Sequence, residues 1–186
     1  MWPRLLAAVA AVAAPLAIPS TAHADPPVDR GIVRESFTES LQCDGFTLTL
    51  DVTVKDRFSV QPAPGDPYGQ AFLAHSVFRV ATTGTNNVTG QTFTALYHSN
   101  IRELRAQHLY GDIYEFQLLE VASLLVKDSR GRPFIRENAV QRHVQVFDTL
   151  GDREPGGEEL SLETTVVSGT PFTSPDPCEI AEALTT

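Results

Sequence analysis

Between residues 46 and 55 the chain alternates without a break: Phe46, Leu48, Leu50, Val52 and Val54 interleave with Thr47, Thr49, Asp51, Thr53 and Lys55. A period of two sends successive side chains to opposite faces, which is the geometry of an extended strand. Threonine and valine also suit a pleated, half-buried surface. The middle of the chain shows no 3.6-residue apolar spacing of the kind that buries a helix. A chain made of such segments must cover one face of a sheet, either by closing it into a barrel or by stacking a second sheet on it.

The remaining segments follow the same reading. Residues 33–41 predict an earlier strand with Phe37 and Leu41 inward. Residues 61–69 carry three prolines and two glycines and predict a loop. Residues 71–80 are apolar on both parities, as in a strand buried on both faces, and 82–90 predict a second loop. Within 91–108 the apolar parity switches from Phe93, Ala95 and Tyr97 to Leu104 and Ala106. A bulge at His98-Ser99-Asn100 would make that switch without ending the strand. A turn at 110–112 leads to a strand over 113–126 with Tyr114, Phe116 and Leu118 inward. After a turn at 129–133, residues 134–147 predict a strand with Val140, Val144 and Val146 inward and Gln141, His143 and Gln145 outward. An acidic, Gly-rich loop at 151–159 precedes a last strand at 160–167.

Asp176, Pro177 and Glu179 supply an N-cap, a first-turn proline and an acid three residues after the cap, so a short helix is expected at about 177–184. The fold class expected is all-β: an antiparallel meander forming a barrel, with a β-sandwich as the alternative, and a short C-terminal helix. Strands of about 14 residues suit a curved barrel wall better than a small sandwich.

The N-terminal stretch has the three-part layout of a secretory signal peptide over residues 1–24: Arg4, an apolar run at 5–18, and Ala22-His23-Ala24. That run is shorter than the roughly 20 residues a membrane span needs. Residues 25–31, with Pro26 and Pro27, read as a disordered lead-in, and 32–186 as one β domain. The expected location is secreted, extracellular or in the cell envelope. Cys43 and Cys178 are the only cysteines, and in an oxidising compartment two lone thiols pair, so they are expected to form a disulfide.

Formal net charge is −9, with Lys55 and Lys127 the only lysines. Such a domain repels phosphate backbones and lacks a basic patch for anionic lipid, so neither nucleic acid nor a membrane span is expected. No nucleophile elbow, zinc helix, P-loop, dinucleotide fingerprint or calcium loop occurs. No catalytic residue, metal ligand or cofactor is therefore assigned.

One charged row does emerge from strand pairing. A five-residue loop at 129–133 sets Phe116, Leu118 and Ala122 opposite Val146, Val144 and Val140, and Glu120 opposite Arg142. A three-residue loop at 110–112 sets Arg102 opposite Glu120 from the other side. Arg102, Glu120 and Arg142 are accordingly the candidate ligand-binding residues, crossing the apolar face inside or at the mouth of the barrel; a bulge near Leu118-Leu119 would instead turn them outward as a surface ladder. The expected function is a secreted, non-catalytic β-barrel domain that binds a small or apolar ligand. The alternatives are an envelope module that binds another protein, and a barrel-type enzyme using a buried carboxylate.

The Cys43-Asp44-Gly45-Phe46 and Thr89-Gly90-Gln91-Thr92-Phe93 strand starts, the Gly111-Asp112 turn, Val146-Phe147-Asp148 and the late Cys178 together form a layout. It resembles the small secreted β-rich proteins of high-GC Gram-positive bacteria, whose members carry no assigned function. The resemblance implies export and an all-β fold, and brings no catalytic residue with it.

Overall fold

A computed structural model describes residues 29–170, 172 and 176–185. Seven strands follow one another: β1 (Asp29–Cys43), β2 (Phe46–Pro62), β3 (Phe72–Asn86), β4 (Thr92–Tyr110), β5 (Ile113–Lys127), β6 (Pro133–Asp148) and β7 (Glu158–Gly169). One helix, α1 (Pro177–Thr185), ends the described chain. The strands form a single antiparallel sheet in sequence order, and β7 does not pair with β1. The meander and the tail helix are therefore present. Among the described residues the sheet is not closed into the expected barrel, and no second sheet of a sandwich is present.

Local chemistry sets the element boundaries. Cys43 pairs directly with Phe46, so Asp44-Gly45 make a two-residue hairpin turn, and Gly45 takes the positive φ of 80° that this turn requires. β1 begins at Asp29, inside the stretch expected as a disordered lead-in. Residues 25–28, like the signal-peptide stretch, lie outside the described residues. β2 runs on to Pro62, and β3 runs to Asn86, through part of the expected second loop. Gly84 fits within that strand because the Phe93 ring lies over it, where a Cβ would collide. Asp176 caps α1 by accepting from the Cys178 N–H at 2.8 Å. The Cys43–Cys178 disulfide joins the end of β1 to the first turn of α1 across a Cα–Cα distance of 5.5 Å.

Both apolar clusters lie on the face that carries α1, here the inner face. At one end Leu48, Leu50, Val52, Val54, Phe93 and Val126 pack beneath Ile180 and Ala181 of the helix. Leu48, Leu50 and Val126 are fully buried, each contributing about 1.5–3 kcal/mol of transfer free energy. At the opposite end Ala63, Ala71, Leu73, Tyr114 and Phe116 form a second cluster, with Ala106, Leu118 and Phe147 against it. Between the two ends Asp56, Ser76, Phe78, Ile101, Leu118 and Gln141 on the inner face are half-buried, whereas Ser99 and Glu120 among them are buried.

Candidate functional site

β4 is one long strand interrupted by bulges, as expected, but its two register shifts fall at Leu104 and Leu109 rather than at 98–100. Tyr97, Ser99, Ile101 and Glu103 thus all share the inner face, and only after Leu104, which is exposed, does Ala106 take over. On β5 the inner parity runs from Tyr114 through Phe116, Leu118 and Glu120 to Ala122 and Leu124, as the sequence predicts. Glu120 is therefore carried inward by the apolar residues on either side of it, and is only 8% exposed.

β6 departs from expectation. Val126 pairs with Ile135 and Lys127 with Pro133, which leaves Phe134 bulged and moves the register by one residue. A one-residue slip sends every side chain to the other face. Ile135, Ala139 and Phe147, which pack into the two clusters or lie buried beside them, hold the odd parity inward. Gln141, His143 and Gln145 follow them in, while Val140, Val144 and Val146 turn to the outer face. The expected charged row is corrected for the same reason. Arg102 and Arg142 are both exposed and both lie opposite Leu119, on the outer face, so neither meets Glu120.

What meets Glu120 instead is a set of neutral donors and an imidazole. Oε1 accepts hydrogen bonds from the Tyr97 hydroxyl at 2.9 Å and the Ser99 hydroxyl at 2.6 Å. Oε2 accepts from His143 Nε2 at 3.1 Å. That bond places a hydrogen on Nε2, and the Nδ1 of the same ring is 2.9 Å from Thr164 Oγ1 on β7. Burial alone would raise the Glu120 pKa. The bonds from His143, Ser99 and Tyr97, with the attraction of the imidazole, outweigh that and hold the carboxyl below its usual range. Burial, then the charge of Glu120 and the bond to it, push the Tyr97 phenol well above its ordinary value. The Tyr97 ring in turn packs edge-on against Phe78 and Phe172.

A carboxylate offers about four acceptor directions. Three are filled, so among the described residues one direction on Oε2 has no donor. A second carboxyl lies close by in register: Glu103 pairs with Leu118 while Glu120 pairs with Ile101, on the same face. Glu103 accepts the backbone N–H of Ala74 at 2.5 Å, and burial pushes its pKa up to about 7 against the lowering effect of that bond.

Ser99, His143 and Glu103 were not apparent from sequence as site residues. For Ser99 the signal is parity, since it continues the apolar face of Phe93, Ala95 and Tyr97. For Glu103 and His143 the parity depends on the bulges at Leu104 and Phe134, which have no sequence mark such as glycine. Among the described residues no group of three His, Cys, Asp or Glu side chains is placed to hold a metal, and no helix is long and apolar enough to cross a membrane. A shallow hollow of about 520 Å³ on the outer face, lined by His98, Asn100, Val121 and Val140, is separate from this site. The chain matches no protein-family model, no curated protein and no solved structure.

Proposed function

We propose that this is an exported, non-catalytic binding domain whose inner face takes a small, largely apolar ligand bearing one cationic or hydrogen-bond-donating group. The observation that carries the reading is Glu120. It is an ionised carboxylate held in place by Tyr97, Ser99 and His143, with one acceptor direction left, between two apolar clusters. A buried, fixed anion flanked by the half-buried side chains of Phe78, Ile101 and Leu118 favours a donor head with a hydrocarbon body. The Cys43–Cys178 bond supports export, because such bonds persist in oxidising compartments.

The test is a calorimetric titration with three probes of equal chain length, octylammonium, octanol and octanoate. The expected order of affinity is ammonium, then alcohol, then carboxylate, with about tenfold between the first and last, as a charge-assisted hydrogen bond provides. Glu120→Gln should erase the order. Absence of binding by all three, or an order that survives Glu120→Gln, overturns the reading.

One observation favours an acid–base enzyme as the second reading. Glu103 and Glu120 lie on one face with proton affinities moved in opposite directions, which is how a protonated acid and an ionised base coexist at neutral pH. Under that reading Glu103→Gln abolishes turnover of a bound compound and leaves its affinity intact. Under the binding reading no bound compound is turned over.

A further inference from the structure

Among the described residues the two edges of the sheet have no partner strand, and their residues fit each other. All twelve residues of β7 are exposed, including Leu160, Leu162, Val166 and Val167. On β1 Ile32 and Val33 are exposed as well. Neither strand contains a proline or a lysine, the residues that commonly blunt a free edge. Because six antiparallel steps separate them, β1 and β7 run in the same direction.

Laid parallel with Val33 beside Leu162, the two strands match along their length. Phe37 then falls beside Val166, so that both apolar pairs share the inner face. On the outer face Arg34 falls beside Glu163. Leu160 is an extra residue in β7, and that bulge brings Glu158 into line with Arg30 on the same outer face. This alignment sets no like charges side by side. Pairing β7 with another β7 would instead gather Glu158, Glu159 and Glu163 of both strands, which is unfavourable.

We propose that two copies of this chain join edge to edge, β1 of each lying parallel to β7 of the other. Within one chain the same edges stay apart, even though closure would cover Leu162 and Val166. A second copy supplies both missing edges at once, and two identical seams close the assembly around a two-fold axis rather than leaving a growing filament.

The experiment is sedimentation of the full mature chain across a concentration series, with Arg34→Glu and Glu163→Arg. Both positions are exposed, and circular dichroism of each variant serves as the check that it folds. The wild type should form dimers. Each single variant places like charges at both seams and should dimerise at least tenfold more weakly. Mixing the two variants should restore wild-type affinity, since in the mixed dimer each seam again faces an arginine with a glutamate. A wild type that stays monomeric at every concentration overturns the proposal, whether its edges close within the chain or stay open. So do dimers indifferent to both substitutions, or variants that mixing does not rescue.

Discussion

At one end of the inner face the core is closed by a helix that the chain holds covalently, whereas at the opposite end a single carboxylate gathers a loop. The helix end relies on Ile180 and Ala181 packed into the same cluster as Leu48 and Leu50, with the Cys43–Cys178 bond pinning the first turn. At the loop end Asp66 accepts the backbone N–H groups of Tyr68, Gln70 and Ala71 at 3.1, 2.7 and 2.8 Å and the Tyr114 hydroxyl at 2.9 Å. Tyr114 itself is 1% exposed, and its ring continues into Phe116 and Phe147. One seal acts largely by restricting the unfolded chain; the other acts through hydrogen bonds made only in the folded state. The two ends should therefore fail under different conditions, one on reduction and the other on acidification, leaving the Glu120 belt between them to be probed separately.

The largest effect is expected from breaking the disulfide. Cys178→Ser should cost about 2–5 kcal/mol in urea unfolding, because the bond closes a long loop. Hydrogen exchange should show α1 opening before the sheet. Equal loss of protection in both would show that the helix is not an independent lid.

Asp66→Ala should cost about 2–3 kcal/mol, since the N–H groups of Tyr68, Gln70 and buried Ala71 and the hydroxyl of buried Tyr114 lose their acceptor together. The acid limb of the stability profile sharpens the contrast. Burial would raise the pKa of Asp66, but the N–H and hydroxyl donors bring it below the ordinary value. Its contribution is present above the unfolded-state value and is lost as pH falls through the lower folded-state one. Asp66→Asn should flatten that limb, while reduction of the disulfide should leave its shape unchanged.

Glu120→Gln should cost well over 1 kcal/mol, because the donors of Tyr97, Ser99 and His143 then face a neutral amide. A change within about 0.5 kcal/mol, typical of a surface position, would place the belt in solvent.

The smallest expected effect has the opposite sign. The folded state holds Glu103 protonated up to about pH 7, so stability should fall as pH rises from about 4.5 to about 7. Glu103→Gln should remove that slope and leave the protein more stable than the wild type at pH 8. Its amide oxygen can still accept the Ala74 N–H. An unchanged slope would show that Glu103 titrates as an exposed residue.

Sequence reached the parts of this fold that rest on local alternation. The even face of β2, the inward Tyr114, Phe116 and Leu118 and the capped tail helix all follow from nearby residues, and the Cys43–Cys178 pairing from their being the only two cysteines. Glu120 was legible too, because it shares parity with Phe116, Leu118 and Ala122. Its partners were not. The order of apolar residues in β6 supports two registers, and Val140, Val144 and Val146 make the wrong one attractive. Ile135, Ala139 and Phe147, buried at or beside the two distant clusters, decide the matter, and that burial appears only after the whole sheet is assembled. The open seam was equally beyond local reading. Strand length argued for a barrel, but closure depends on whether β1 and β7 meet, and no alternation pattern records that.

The central claim is that the inner face holds an ionised carboxylate ready to receive a donor. Carbon-13 NMR titration of the Glu120 side-chain carboxyl in the folded protein tests it most directly. The account predicts a midpoint below the ordinary glutamate value of 4.5, so that the group stays charged throughout the neutral range. A midpoint at or above that value would mean that burial outweighs the bonds from His143, Ser99 and Tyr97, and would contradict the claim.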